Sequence, residues 1–452
     1  MRQKTILQES LKMNSSSRVK AVREYREKYE RLDGLLQANP EILAQAHQEF
    51  GAKLSISPTG RTGDFTSEQL LRALIVMFVE GLSYRDTVVR LDDSEVLRGF
   101  VGLEWREVMD HTFLQRAFDA LSPETWERLN ACLGQYAQRE EKIGGEKLRV
   151  DSTVVETNVH YPTDASLLWD SARVLIRELR RARFELQECG RRPRFHDRKI
   201  KKLFIFINRN GHSTSRRVQR RVKRAYTQLI ERVRRLTAIA RNLLDTWVDW
   251  HLPALAMYLP RVEQVIHQAE QRILHGVILP AHEKIYSLFE AHTELLIRGK
   301  AGKAVEFGHK VVIAQSGEKF ITHYQVLPQR QEDPALLPAT LEAHQTRFGC
   351  APEVLAADKG FYASREQLER LQETIRTVSL PKKGRRTEAE ERREKSEAFR
   401  EGQRFRAGVE GTISVLKRVF KQNRCLFKGF KRYAASVGCA VFCHNLILLT
   451  RM

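Results

Sequence analysis

The β-strand patterns of this chain lie on both sides of a long helical stretch, and this order limits the folds that the chain can adopt. The segment KLRVDSTVVET (147–157) alternates β-branched and polar residues, as a strand does. The pattern returns at 305, where VEFGHKVVIA and KFITHYQVL flank the turn QSGE and predict a hairpin. Further strands are predicted at 353–357 and 377–380. One mixed α/β domain interrupted by a helical insertion explains this order better than two separate β domains.

Helical patterns fill most of the remaining chain, with apolar residues three or four positions apart. The Gly-, Pro-, Ser- and Thr-rich segment 55–65 marks a boundary. Residues 165–297 are almost wholly helical in pattern, with breaks at 189–195 and 208–215, and one long charged helix and one apolar helix end the chain. The predicted division is an N-terminal helical and flexible segment (1–60), an all-α domain (61–145), an α/β domain (146–164 and 298–452) and a basic helical insertion (165–297).

Composition points to a folded protein outside the membrane. The chain has 452 residues with 42% hydrophobic residues, enough for two or three domains. No apolar run approaches the ~18 residues of a membrane span, and the N-terminus lacks the apolar segment of a secretory signal. We therefore expect a cytoplasmic protein. The six cysteines form no CxxC pair, and reduced, buried thiols are the simplest interpretation of them.

The basic residues are concentrated in one region. Residues 171–240 contain 22 Lys or Arg but only 5 Asp or Glu, so this stretch carries +17 of the formal net charge of +21. Such an excess is best explained by a polyanionic partner, and nucleic acid is the commonest one. The alternative is a solvated helix face, but an ordinary face would intersperse acidic residues.

Within this region, five arginines are spaced to form a stripe on a helix. Residues four positions apart lie on one helix face. A surface of this kind contacts phosphates rather than bases, so its binding to double-stranded DNA should depend on salt. The predicted DNA-binding arginines are Arg216, Arg217, Arg220, Arg221 and Arg224.

Three acidic residues stand at structural breaks that could hold a carboxylate rigidly. Asp151 lies within the predicted strand 147–157, and Asp358 directly follows the predicted strand 353–357. If these strands are neighbours, about 4.8 Å apart, their carboxylates can share a metal. Glu410 would come from a helix packed on the sheet. Three carboxylates suffice for Mg²⁺, which prefers oxygen ligands and keeps several waters, so the set suits two-metal phosphodiester chemistry.

Two cations share the predicted helix face of Glu410. Arg406 and Lys417 lie four residues before it and seven after it, within about 60° on the helix, and they could face DNA phosphates. Each acid also has an ordinary alternative. Asp151 and Asp358 could shape turns, and Glu410 could be one more acid on a charged helix.

The ordered combination resembles the DDE transposases of bacterial insertion sequences. RVDST is similar to the first-Asp strand of that family, and LAADKGFYAS is similar to its second-Asp segment. RFRAGVEGTISVLKRVF resembles the third segment, with its signature Tyr-x2-Arg-x3-Glu-x6-Lys. Arg406, Glu410 and Lys417 match three of the four signature positions, while Gln403 replaces the tyrosine. Residues 66–139 resemble the helical N-terminal domain common in this group, and the insertion departs from a minimal core.

The resemblance implies an RNase H-like fold in which the Asp151 and Asp358 strands are adjacent and parallel. It implies that Asp151, Asp358 and Glu410 hold two Mg²⁺ ions, with Mn²⁺ as a substitute. The reaction would be cleavage at the ends of a transposable element followed by strand transfer, by a homodimer or larger assembly on DNA. A related nuclease without strand transfer, and a non-catalytic DNA-binding protein derived from a transposase, are the alternatives.

Overall fold

The chain divides into two units in a computed structural model that describes residues 4, 18–54, 65–104, 107–188, 193–246, 252–300 and 303–452. The first unit comprises Met1–Glu156 and His309–Met452, and the second comprises Thr157–Gly308. The predicted boundary at 55–65, apart from Phe65, lies outside the described residues, as does the first part of the break at 189–195.

Seven helices begin the described part of the first unit, and they contribute to a continuous apolar core. The helix that starts at Ser67 does so because Thr66 accepts a hydrogen bond from the Gln69 backbone N–H and the Gln69 side chain accepts one from the Thr66 N–H, which is a capping box. The elements are α1 (Lys20–Gln37), α2 (Pro40–Lys53), α3 (Ser67–Val79), α4 (Tyr84–Asp93), α5 (Glu95–Val101), α6 (His111–Ala120), α7 (Pro123–Arg139) and strand β1 (Lys147–Thr157).

The second unit is a helical bundle with its own core and one β-pairing. Its helices bury apolar faces against one another, with Leu168, Leu229 and Val262 fully buried. Its strand Glu294–Lys300 pairs in antiparallel register with the first part of strand Lys303–Gln315. The elements are α8 (Asp164–Arg181), α9 (Arg183–Glu188), α10 (Asp197–Asn210), α11 (Arg216–Thr246), α12 (Pro253–Glu270), β2 (Glu294–Lys300) and β3 (Lys303–Gln315).

The chain then completes the first unit with strands and helices in alternation. The predicted hairpin is confirmed, since β3 pairs with the next strand in antiparallel register. The elements are β4 (Ile321–Val326), α13 (Asp333–Phe348), β5 (Val354–Ala357), α14 (Arg365–Thr374), β6 (Thr377–Ser379), α15 (Glu388–Lys395), α16 (Glu397–Arg418), β7 (Arg424–Cys425) and α17 (Phe430–Leu449).

Two helical expectations are wrong. The helical pattern predicted up to 297 ends earlier, because α12 and the short π-helix after it stop at Gly276, which has a φ of +73° and so adopts the left-handed conformation that favours glycine. Pro280 then removes a backbone donor. The long charged helix near the C-terminus is two helices, since Ser396 is extended and caps α16 with its side chain.

The sheet is mixed, which confirms an α/β core with helical regions. In the first unit β3, β1, β5 and β6 follow one another, with β4 paired to β3 and β7 paired to β1. Strand β5 pairs with both β1 and β6 in parallel. The paired parts of these parallel strands are short and mostly apolar in sequence, as is typical of parallel strands that are buried on both faces of the sheet.

Helix α17 forms the centre of the first unit. By length and composition it could cross a membrane, with a mean hydropathy of 1.3, but 83% of that stretch is buried inside the fold. It packs against α7 and α3, and its Asn445 side chain bonds both backbone groups of Ile321. It is therefore a core helix of this unit.

The cysteines that the structure describes are free thiols. Cys425, Cys439 and Cys443 are buried, as expected, whereas Cys350 is exposed and Cys132 is partly buried. Cys189 lies outside the described residues.

Candidate active site

The pairing of β1 with β5 brings Asp151 and Asp358 to neighbouring positions. The last paired residues are Val150 and Ala357, so Asp151 is the next residue of β1 and Asp358 is the residue that directly follows β5. Adjacent strands lie about 4.8 Å apart. Two acids separated by 207 positions in the sequence therefore stand side by side where β5 ends, on neighbouring parallel strands, as the resemblance implies.

Each aspartate also shapes its own backbone. Asp358 Oδ1 accepts a hydrogen bond from the Gly360 N–H and caps the 3-10 turn Lys359–Phe361. A side chain at Gly360 would meet Asp358 Oδ1 at 2.7 Å and Asp333 Oδ2 at 3.0 Å, so glycine leaves room for the carboxylate to fold over the turn. Asp151 Oδ1 accepts from the Ser152 N–H at 2.7 Å. The turn-forming role considered for Asp358 is thus present, and it fixes the direction of the carboxylate.

Helix α16 brings Glu410 to the same region through Arg406. The Arg406 guanidinium donates to Glu410 Oε1 at 3.0 Å and to Asp151 Oδ2 at 3.5 Å. The side chains of Asp151 and Arg406 are 16% and 19% exposed, whereas that of Glu410 is 64% exposed. Arg406 therefore links the first and third acids, and Glu410 remains largely in solvent.

Two glycines allow α16 to lie close to the sheet. A Cβ at Gly402 would lie 2.7 Å from Ser379 Oγ on β6 and closer still to Ser379 Cβ. A Cβ at Gly408 would lie 3.0 Å from Arg149 Cζ on β1. A bulkier residue at Gly402 would press α16 away from β6, and one at Gly408 would displace the Arg149 guanidinium.

A buried polar network supports the same helix, and sequence analysis did not predict it. Arg149, which lies on the same face of β1 as Asp151, donates to Gln315 Oε1 and to the Phe405 carbonyl, both at 2.9 Å. Gln315 in turn donates to Thr412 Oγ1 at 2.8 Å. Burial lowers the pKa of the Arg149 guanidinium. The one available signal was a charged residue at an inward position of a strand.

The signature positions of α16 differ in what their side chains contact. Gln403, where the family has tyrosine, faces the sheet and donates to Ser379 O at 2.8 Å and to Ala357 O at 3.3 Å. Lys417 is partly buried further along the helix, where it lines a small cavity with Thr153 and Val155 of β1. The stretch of α16 from Arg406 to Lys417 therefore runs beside β1.

The three carboxylates are not gathered into a closed metal site. Across the described ranges, no three His, Cys, Asp or Glu side chains lie close enough together to hold a metal ion. The Arg406 guanidinium contacts both Asp151 and Glu410. The donor chemistry nevertheless fits magnesium. Asp151 and Asp358 offer partly buried carboxylate oxygens at adjacent strand positions, and such hard oxygen ligands are those that this ion prefers.

The predicted DNA-binding arginines lie in the second unit, at the start of α11. The opposite face of this helix is buried, with Leu229, Val233 and Leu236 in the core. Within the part of the chain that the structure describes, the stripe arginines make no ion pair. All five of them are exposed: Arg216, Arg217, Arg220, Arg221 and Arg224.

The later basic residues of α11 behave differently. Arg234 pairs with Glu270, Arg241 pairs with Glu263, and Arg235 pairs with Glu231 at 2.9 Å. These ion pairs neutralise three of the four arginines in the later part of the helix, so most of its unneutralised positive charge lies in its first turns.

Comparison with known proteins gives two family matches. A family described as "Transposase DDE domain" matches residues 284–446, which include Asp358 and Glu410. A second, described as "Transposase domain (DUF772)", matches residues 17–120. No curated protein and no solved structure matches the chain. The resemblance to the DDE transposases is therefore confirmed by two separate parts of the chain, an N-terminal transposase domain and a C-terminal transposase DDE domain.

Proposed function

We propose that this protein is a cytoplasmic insertion-sequence transposase that cuts the ends of its element and joins them to target DNA, with an RNase H-like catalytic core. The observation that carries the proposal is the parallel pairing of β1 and β5, which makes Asp151 and Asp358 neighbours. Arg406 links that pair to Glu410 on α16. Binding of DNA alone would not need acids at these positions, since carboxylates repel phosphates.

Asp151, Asp358 and Glu410 would hold the divalent metal. Bound Mg²⁺, for which Mn²⁺ would substitute, supplies the charge stabilisation that two-metal phosphoryl transfer requires. The chain contributes rigid carboxylates: Asp358 is fixed by the Gly360 N–H, and Asp151 is fixed by the Ser152 N–H. Arg406 and Lys417 supply positive charge on the same helix for the DNA phosphates.

The basic start of α11 provides the main contact to the DNA backbone in this proposal. Its arginines are exposed and without ion pairs among the described residues, and a phosphate-contacting surface needs such charges. The domain at 61–145 contributes further DNA contacts, and two or more copies act together on paired ends. The catalytic domain comprises 146–164 and 298–452, and the basic insertion spans 165–297.

A cleavage assay on end-sequence DNA tests the proposal. Wild-type protein with Mg²⁺ or Mn²⁺ should release cut ends and then joined products, whereas Asp358→Asn should release neither while still binding the DNA. Glu353→Gln is a matched control, because this exposed acid lies five residues before Asp358 and its loss should leave cleavage unchanged.

The outcome of this assay separates the candidate functions. Cut ends without joined products would favour a nuclease. Equal inertness of the wild type and Asp358→Asn, with DNA binding retained, would favour a non-catalytic DNA-binding protein and would overturn the proposal.

A further inference from the structure

The side chain of Gln403 lies at the interface between α16 and the ends of two strands. Its Nε2 group is within hydrogen-bond distance of three oxygens: Ser379 O at 2.8 Å, Ser379 Oγ at 3.0 Å and Ala357 O at 3.3 Å. An amide nitrogen has two N–H donors, so two of these three oxygens share one of them. The glutamine thus contacts β5 and β6 together.

The hydroxyl of Ser379 acts as a relay in this interface. It donates to the Phe399 carbonyl of α16 at 2.9 Å, which leaves its oxygen free to accept from Gln403. Three hydrogen bonds therefore join this residue of β6 to α16, one to Phe399 and two from Gln403. Ser379 is fully buried, so water does not compete for these bonds.

The place of these bonds along the sheet links them to the acidic site. Ser379 is the last residue of β6 and pairs with Ala356. Ala357 is the last residue of β5, and the next residue is Asp358. Gln403 therefore bonds the backbone directly before the second aspartate, beyond the point at which the β5–β6 ladder ends.

The residue before Gln403 allows α16 to lie close to β6. Gly402 is buried, and any Cβ there would overlap Ser379. A tyrosine at position 403 would have one O–H donor on a rigid ring, so it could not donate hydrogen bonds to both β5 and β6 from this position. In this chain the glycine thus allows the close approach of α16, and the glutamine makes the hydrogen bonds to β5 and β6.

We propose that Gln403 is a positioning residue for Asp358, which fixes the end of β5 against α16 and so sets the aspartate relative to Asp151 and the helix of Glu410. This inference rests on the proposed function. Position 403 is where this chain has glutamine instead of the signature tyrosine. The inference gives this residue the role of positioning a metal ligand, rather than of contacting DNA. Groups behind a metal ligand tune its affinity even though they never touch the ion.

The test measures Mn²⁺ binding to the DNA-free protein, by electron paramagnetic resonance, and DNA binding by the same samples. Gln403→Leu keeps the size of the side chain and removes the donors, so Mn²⁺ affinity should fall by about 10- to 100-fold, the range for lost supporting partners of metal ligands. The Kd for end-sequence DNA should change less than about two-fold. Glu401→Leu, an exposed change two residues away on the same helix, should alter neither quantity.

Two further variants keep the test decisive if Gln403→Leu does not fold. Ser379→Ala removes one acceptor and the relay to Phe399 but leaves both carbonyl partners, so it should weaken Mn²⁺ binding by only a few-fold. Gln403→Tyr should weaken Mn²⁺ binding and should not strengthen DNA binding. Wild-type Mn²⁺ affinity in Gln403→Leu or in Gln403→Tyr, or tighter DNA binding by Gln403→Tyr, would overturn the inference.

The outcome separates this inference from the function it rests on. If the wild type neither binds Mn²⁺ nor cuts DNA, the proposed function is wrong, and the inference about Gln403 is wrong as well. If the wild type does both and Gln403→Leu behaves like it, only the role of Gln403 is wrong.

Discussion

At the scale of single residues, Arg406 is the side chain that contacts two of the three proposed metal ligands. Its guanidinium lies 3.5 Å from Asp151 and 3.0 Å from Glu410, in the region that a metal shared by these carboxylates would take. A cation at this place offsets the repulsion between the acids, and it also competes with a divalent ion.

Arg406→Gln should therefore bind Mn²⁺ more tightly in the absence of DNA. Two unit charges about 4 Å apart interact by about 1 kcal/mol in water, so we expect a Kd lower by several-fold, measured as described for Gln403. Arg404→Gln, which changes an exposed arginine paired with Glu397 on the same helix, should have no effect. Weaker binding by Arg406→Gln would show that the arginine holds the carboxylates in place rather than competing for them.

At the scale of elements, the position of α16 depends on two glycines with different surroundings. Gly402 lies against Ser379, whereas a Cβ at Gly411 on the same helix would have no atom within 4 Å. The same substitution should thus have opposite effects at the two positions.

Gly402→Ala should lower the free energy of unfolding by about 1–3 kcal/mol, because it overpacks a buried contact. Gly411→Ala should raise it by about 0.5–1 kcal/mol, because alanine restricts the unfolded chain and favours the helix. Chemical denaturation of both variants measures these changes. Equal effects of the two changes would mean that α16 is not pressed against β6.

The start of α11 makes a separate prediction about DNA. Changing its five stripe arginines together to glutamine should weaken DNA binding and flatten its dependence on salt, since each lost phosphate contact lowers the slope of log K against log salt by roughly 0.9. The stripe is Arg216, Arg217, Arg220, Arg221 and Arg224.

A control for the stripe uses basic residues that acidic neighbours already neutralise. Arg365, Arg392 and Lys395 each pair with a glutamate four residues away, so their change to glutamine should alter the slope far less. An unchanged slope in the stripe variant would mean that these arginines do not face DNA.

At the scale of the whole molecule, buried histidines couple folding of the first unit to pH. Burial lowers the pKa of His444 on α17 to about 4, and it lowers that of His323 on β4 to about 4. The unfolded chain binds these protons near the ordinary pKa of 6.5, so below that pH the unfolded state takes up more protons than the folded state.

The free energy of unfolding should therefore be greatest above pH 6.5 and fall as the pH is lowered toward 4. Between pH 6.5 and 5, His444 alone accounts for about 1.5 kcal/mol of this loss. Denaturant titrations across that range should show a shallower decline in His444→Gln than in the wild type. An identical decline in both proteins would contradict this account.

Sequence patterns predicted the parts of the fold that depend on neighbouring residues. The strand at 147–157 and the hairpin followed from the alternation of residue types along the chain. The network of Arg149, Gln315 and Thr412 could not be predicted, because its members are 166 and 97 residues apart along the chain and only the packed fold brings them together. The same holds for Gln403, whose partners lie on two other elements.

The most direct test of the account measures DNA strand cleavage by three single variants that each remove one carboxylate charge: Asp151→Asn, Asp358→Asn and Glu410→Gln. Substrate DNA with Mn²⁺ is incubated with each variant, with the wild type and with the control Glu353→Gln, and DNA binding is measured in parallel. The account predicts cleavage by the wild type and the control, and loss of cleavage in all three variants with DNA binding retained. Cleavage at the wild-type rate by any of the three would contradict the assignment of these acids to one active site.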